Sequence, residues 1–254
     1  MHRRFASLLA VAGIALLLGT GAAWNEYLRA PPLERQPLPA TLVALDSPAG
    51  QALLAESDAI ADYDDLKANF VAQSRKSYCG VASAVVALNA LHAPSAPFDQ
   101  RTVFDAPAVR MHPLKVSFIG MSLREFGELL QAHGARVRVV RASATDVDAF
   151  RREVRANLAR EGDYLLVNYA RERLGQAPSG HISPIAAYHA GSDRLLVLDV
   201  AANRYPPTWV RLPDMWEAMR APLSAKTPVS RGFVVVQAGP GVDDETFAAR
   251  TPVR

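Results

Sequence analysis

The spacing of apolar and polar positions changes character along the chain. A short basic start, His2-Arg3-Arg4, leads into an almost unbroken apolar run from Phe5 to Ala23 with no charge in it. Such a run is long for the apolar h-region of a signal peptide and just long enough to span a bilayer as a helix. Thr20-Gly-Ala22 or Gly21-Ala-Ala23 suits a signal peptidase, so residues 1–23 read as a signal peptide or a retained anchor, with both left open. Basic residues before the run and few after it place the remainder outside the cytoplasm. The expectation is an exported protein, periplasmic or anchored to the outer face of the inner membrane, touching membrane only through this segment. Residues 24–41, with Pro31-Pro32, Pro37 and Pro39 and no helical period, read as a linker.

From Leu42 the pattern is that of a folded domain, expected over 42–238, with 239–254 as a weakly ordered tail. Leu42 to Leu45 suits a short strand, and Gln51 to Ser57 a helix, with a polar-apolar pattern continuing to Phe70. Gly80 to Leu91 has neither Gly nor Pro after Gly80 and no charge, and only Ser83 and Asn89 are polar, so it predicts a helix buried nearly all round, ended by Pro94 and Pro97. Pro113 to Gly120 reads as loop or short strand. Ser122-Leu-Arg-Glu125 is a capping box opening a helix that ends at Gly134. Ala135 to Val140 is a strand, and its Arg136, Arg138 and Arg141 predict a solvated face. Val147, Phe150, Val154 and Leu158 share one helical face. The second half alternates differently. Tyr164 to Tyr169, His181 to His189, Leu195 to Val200, Trp209 to Leu212 and Arg231 to Gln237 read as strands, with a helix at Pro213 to Arg220. Arg171 to Ser179 is polar and reads as a mobile loop. Helices first and strands later make an α+β fold, with an N-terminal helical part packed on a C-terminal antiparallel sheet.

Composition narrows the chemistry. The 254 residues carry 28 basic and 25 acidic side chains, a net charge of +3, which argues neither for nor against nucleic acid. The arginine-rich strand has no interleaved aromatics to stack bases. One cysteine in the whole chain excludes an internal disulfide framework and every zinc site built on paired cysteines. No metal-binding or nucleotide-binding motif appears, so no intrinsic cofactor or metal site is expected.

That single cysteine, Cys79, stands where a loop becomes the buried helix. A thiol there meets the positive end of the helix dipole, which favours thiolate, although a free cysteine is as readily one more small buried hydrophobe. A nucleophile needs a base. His92 ends the same helix and lies about 20 Å away at 1.5 Å per residue, too far. His112 and His133 lie in or near loops, and His133 suits a helix C-terminus. His181 begins a strand, and the next strand ends in Asp199, an acid within an apolar run that needs a partner if buried. With the intervening turn centred on Ala190, His181 and Asp199 face each other across the hairpin. A surface histidine beside a turn aspartate fits the same pattern. Gln73, six residues before Cys79, is a candidate second donor to an oxyanion beside the Cys79 N–H. Together Cys79, His181, Asp199 and Gln73 suit acyl transfer through a thioester.

Several ordered blocks carry a family resemblance. From about Leu42 to Gln237 the chain resembles the catalytic domain of phytochelatin synthases, glutathione γ-glutamylcysteinyltransferases of papain-like cysteine protease fold. The blocks are Gln73 to Leu91, Met121-Ser-Leu-Arg-Glu-Phe-Gly127, Arg141-Ala-Ser143 with Phe150-Arg-Arg152, Ser179-Gly-His181-Ile-Ser-Pro184, Leu198-Asp199-Val200-Ala201, Tyr205-Pro-Pro207 with Trp209-Val210, Trp216-Glu-Ala-Met219 and Arg231-Gly-Phe233. The resemblance implies that Cys79, His181 and Asp199 are the triad and Gln73 the oxyanion residue. It implies a glutathione site lined by the backbone near Gly180, with Arg231 for the γ-glutamyl α-carboxylate and Tyr205 and Arg204 as further binding residues. The implied partners are glutathione and γ-Glu-Cys peptides, and the resemblance leaves room for a homodimer. Heavy-metal ions such as cadmium and zinc enter as glutathione thiolate complexes or activators.

Two departures matter. The cysteine-rich C-terminal region of the plant enzymes, linked to metal sensing, has no counterpart up to Arg254, and the family arginine three residues after the aspartate is Ala202 here, with Arg204 nearby. Hydrolysis is therefore expected to dominate over chain extension. A papain-like peptidase of the bacteriocin-leader type is the rival enzyme, though it is not expected to carry Tyr205-Pro-Pro207 with Trp209. A non-catalytic thiol or metal-binding module of the envelope is the rival from another class.

Overall fold

A computed structural model describes residues 21, 24–92, 97–224 and 227–239. Among them the helices are α1 (Pro48–Ala55), α2 (Tyr63–Ala68), α3 (Cys79–His92), α4 (Pro113–Ile119), α5 (Leu123–Ala132), α6 (Val147–Asn157) and α7 (Leu212–Arg220). The strands are β1 (Val43–Ala44), β2 (Arg136–Arg141), β3 (Asp163–Ala170), β4 (Gly180–His189), β5 (Arg194–Val197), β6 (Thr208–Arg211), β7 (Pro222–Ser224), β8 (Thr227–Ser230) and β9 (Gly232–Gln237). Seven of them form one antiparallel sheet in the order β1-β6-β5-β4-β3-β9-β2, while β7 and β8 make a separate hairpin that the sequence pattern did not announce. The α+β expectation holds, with the Cys79 helix laid against the sheet.

Side-chain alternation explains the layering. Along β3, Tyr164 and Leu166 enter one core, and Leu165, Val167 and Tyr169 the other. In β9, Val234 and Val236 join the first, and Phe233 and Val235 the second. The sheet is thus apolar on both faces, and each face is covered by helices. The first core takes α3 and α5, and the second takes α6 and α7. Helix α3 is buried from Gly80 to Leu88 and again at Ala90. Each fully buried Val or Leu of this kind contributes roughly 1.5–3 kcal/mol. Its buried hydroxyl is satisfied, because Ser83 Oγ donates to the Ile182 carbonyl of β4 at 2.9 Å.

Capping residues fix the helix starts. Ser122 accepts from the Glu125 N–H at 3.2 Å and Glu125 returns a bond to the Ser122 N–H at 2.8 Å, the expected box. Asp146 accepts from the Ala149 N–H at 2.7 Å and opens α6.

Five expectations are corrected. Residues 113–119 are helical rather than loop or strand, because the His112 ring accepts the Leu114 N–H and Pro113 sits in the first turn. Residues 171–174 form a tight 3₁₀ turn with Arg171 buried, ended by Gly175 at φ 73°. Arg138 is not on a solvated face. It is 6% exposed and pairs with Glu153 of α6 at 2.6 Å, while its neighbour Val139 faces outward. The turn between β4 and β5 is centred past Ala190, since His189 pairs with Arg194, and β5 ends at Val197 rather than Val200. Asp193 holds that turn in the left-handed region at φ 51°, where its carboxylate takes Arg151 at 2.9 Å and the Tyr188 hydroxyl at 2.8 Å.

The last correction concerns residues 24–41, which are seated on the domain. A π-helical turn at Trp24–Leu28 precedes an extended stretch whose Glu34 and Gln36 N–H groups donate to the Asn203 and Arg204 carbonyls at 3.0 and 2.9 Å. No helix among the described residues is long and apolar enough to cross a membrane. The signal or anchor reading of 1–23 lies outside the described residues, apart from Gly21, as do Pro94 and the tail from 240.

Candidate active site

Cys79 is the first residue of α3 and stands at the floor of a cavity of about 760 Å³. The helix start supplies N–H groups without intrahelical acceptors, and the buried apolar body of α3 fixes where they point. Across from it, β4 brings His181, 4% exposed, whose Nε2 lies 3.0 Å from Asp199 Oδ1 and 2.9 Å from Ser183 Oγ. His181 and Asp199 do not face each other in register. Ile185 pairs with Val197, and a bulge between Ile185 and Ala187 shifts the ladder, so Asp199 lies past the end of β5 and reaches His181 diagonally. The two residues meet, for a reason other than the expected turn centre.

Asp199 is 2% exposed and well supplied with donors. Arg171 Nη2 donates to its Oδ1 at 2.7 Å, and the Ala201 N–H donates to the same oxygen at 2.9 Å. Burial pushes its carboxyl up, but Arg171 and then His181 outweigh this and hold it well below the usual carboxylate range. Arg171 was missed by the sequence reading, which took its segment for a mobile loop. It is 1% exposed, also donates to Gln176 Oε1 at 2.7 Å, and lies over the Tyr205 ring at 5.0 Å. Its local sequence, Arg171-Glu-Arg-Leu-Gly175, carries no burial signal.

The thiol and the imidazole are shifted toward an ion pair. Burial pushes the Cys79 thiol up, but the His181 hydrogen bond and charge, the Ile182 backbone and Arg171 together bring it below its ordinary value. Burial and Arg171 push His181 down, yet Asp199 and Cys79 raise it overall. Lowering the thiol and raising the imidazole both favour a thiolate–imidazolium pair, whose window is the pH range where the thiol has lost its proton and the imidazole still holds one. Because Cys79 is the only thiol, its alkylation by iodoacetamide reports this directly. The rate is expected to climb with pH about a midpoint below the ordinary thiol value of 9.0. A midpoint at or above that value would contradict the ion pair.

Gln73 is buried on the cavity wall. One amide N–H is spent on the Lys76 carbonyl at 2.9 Å, its backbone N–H goes to Val200 at 2.8 Å, and its Oε1 has no partner. A side-chain amide carries two donors, so one remains for an oxyanion. Gly180, Arg204 and Arg231 line the cavity. Tyr205 does not. It is 1% exposed, and its hydroxyl accepts the Ala177 N–H at 3.0 Å, which makes it a brace behind the wall.

Arg231 is 5% exposed, and its Nη1 donates to the Ala221 and Pro222 carbonyls at 2.9 and 2.6 Å, while its Nε is buried without a partner. Asn168 of β3 carries no signal in the sequence, yet it lines the same cavity and its Oδ1 is buried without a partner. A cationic donor and an acceptor, both unmet, on two residues of one cavity suit an amino-acid headgroup. Among the described residues no group of three or more His, Cys, Asp or Glu side chains is placed to hold a metal ion.

Comparison with known proteins shows what the chain as a whole resembles. A family model described as phytochelatin synthase matches residues 33–233. The chain is 35% identical over 176 residues to glutathione gamma-glutamylcysteinyltransferase 1 of Lotus japonicus, covering 66% of this chain and 34% of that one. It is 35% identical over 212 residues to the enzyme of the same name from Triticum aestivum, covering 80% of this chain and 42% of that one. The chain thus spans well under half the length of these relatives. Xylellain, a cysteine protease from Xylella fastidiosa, aligns with a TM-score of 0.41 and 11% identity over 83% of this chain and 91% of that one.

Proposed function

Because the chain belongs to the phytochelatin synthase family, we propose that it is a thiol acyltransferase and hydrolase that cleaves the Cys–Gly bond of glutathione. The observation that carries the reading is the line from Cys79 through His181 to Asp199, closed by a 3.0 Å contact at its buried end.

The Cys79 thiolate attacks the carbonyl carbon of the Cys–Gly peptide. The oxyanion that forms is taken by the Cys79 N–H and the remaining Gln73 N–H. The intermediate collapses, the C–N bond breaks, and His181 gives its proton to the departing glycine amine. A γ-Glu-Cys thioester is left on Cys79. Water, losing a proton to His181, then attacks the thioester carbonyl and releases γ-Glu-Cys. The α-amine of a second glutathione attacking instead gives the extended peptide. Asp199 holds the imidazole orientation, and Arg171 holds Asp199. Arg231 takes the γ-glutamyl α-carboxylate and Asn168 Oδ1 its ammonium. Heavy-metal ions enter as thiolate complexes of the peptide substrate. The apolar run before Trp24 supports export across the inner membrane, with the chain acting on its outer side.

Hydrolysis outruns extension in this reading, because Ala202 stands where the family has an arginine, although Arg204 lines the cavity nearby. The test is incubation of purified protein with glutathione, with and without cadmium, followed by mass spectrometry. Glycine and γ-Glu-Cys are expected in equal amounts, with little longer peptide. Abundant extended peptide would reverse the ordering, and no glycine at all would remove the activity.

A further inference from the structure

Residues 24–36 cross the mouth of the cavity, and they are tied to both of its rims. On one rim, Glu26 pairs with Lys76, and the Tyr27 ring lies on Phe118 of α4 with centroids 5.0 Å apart. On the other, Asn203 Nδ2 donates to the Pro32 carbonyl at 3.0 Å, and the Glu34 and Gln36 N–H groups donate to Asn203 and Arg204. Pro31 and the tied residues Glu26, Pro32 and Glu34 line the cavity.

Two prolines are well suited to such a span. Their ring-locked backbone is stiff and extended, and neither has an N–H that would go unsatisfied over the cavity. A composition that reads as a free linker therefore builds a wall once its flanking N–H groups find carbonyls on the segment after Asp199.

We propose that this strap is a specificity element that confines the cavity to peptides of about tripeptide size, so that a longer polypeptide cannot lie across Cys79. The strap bridges from the α4 rim to the 203–204 rim, and an extended chain threading the cleft would have to pass under it. The volume of about 760 Å³ falls within the roughly 300–1,000 Å³ range of small-molecule sites. The proposal rests on acyl transfer from glutathione for its substrate, while the geometry of the strap is independent of that reading.

The test uses the purified full chain and a variant with the ties on one rim cut, Glu34→Pro with Gln36→Pro, each of which removes an N–H that pins the strap. Asn203→Ala, which removes the bond to Pro32, serves as a milder second variant should the double one fold poorly, as judged by circular dichroism. The first readout is alkylation of Cys79, the sole thiol, by iodoacetamide and by a maleimide carrying a polyethylene glycol chain. Unmodified protein is expected to exclude the bulky reagent, and the cut variant to raise its rate relative to iodoacetamide by about tenfold, the behaviour of an opened lid. The second readout compares glutathione with the same peptide extended by several residues beyond its glycine, cleaved at the same bond. The cut variant is expected to gain on the extended peptide relative to glutathione. Equal access of both reagents before and after cutting the ties would overturn the strap. An unmodified protein that excludes the bulky reagent but releases no glycine from glutathione would support the strap and remove the proposed reaction.

Discussion

Cys79→Ser lowers glycine release from glutathione by at least about 10³-fold, because a serine hydroxyl beside the same imidazole does not ionise as the thiol does. The exchange replaces sulfur by oxygen at a helix start, where serine is well tolerated, so the melting temperature should barely move. The measurement is glycine release by mass spectrometry at saturating glutathione, with the thermal midpoint of both proteins alongside. A serine protein that kept its activity would remove Cys79 from the chemistry and turn attention to the binding-module reading.

Arg171→Met has the second largest expected effect, and it acts on two observables at once. The side chain is fully buried and bonded to the buried Asp199, so removing it leaves that carboxylate only His181 and the Ala201 N–H, and breaking a buried pair in this way costs up to about 3–5 kcal/mol of stability. Its charge also lowers both His181 and Cys79. Removing that charge raises both values, so the thiolate–imidazolium window should slide to higher pH as a unit. A merely structural side chain would weaken the fold without moving the window. Arg171→Lys keeps the charge while losing the two-pronged geometry, and should restore the position of the window more fully than the stability. Urea unfolding and the pH dependence of Cys79 alkylation read the two effects separately. An unmoved window in the methionine variant would reduce Arg171 to a packing role.

How much of this was legible beforehand varied with the kind of signal. The Cys79 boundary was plain, since a charge-free stretch with only Ser83 and Asn89 polar reads as a buried helix. The meeting of His181 with Asp199 was legible as a hairpin, but its register was not. A four-residue turn held by Asp193 and a bulge after Ile185 together displaced the pairing, and neither leaves a pattern of period two. The helix at 113–119 carried a readable sign in Pro113 followed by six residues up to Gly120. Arg171 and Arg138 carried none. Each is an arginine in a polar or alternating context, buried because one acid from elsewhere in the chain, Asp199 or Glu153, comes to meet it. Local pattern describes what a segment presents, whereas these burials depend on what arrives from elsewhere.

The position of β9 has a consequence for the order in which the molecule is made. Among the described residues it is the last strand in sequence, yet it lies between β3 and β2 and pairs with both along its length. A ribosome that has reached Ser230 has already synthesised the thiol, the imidazole and the carboxylate. At that point β2 has no neighbour in the sheet, and Arg231 does not yet exist. Closure of that edge waits for residues 232–237, and such long-range pairing is the slow kind. During that interval the cavity lacks the Arg231 side chain, and β2 is not yet joined to β3. The segment that brings the last cation to the cavity wall is thus also the one that joins β2 to the sheet.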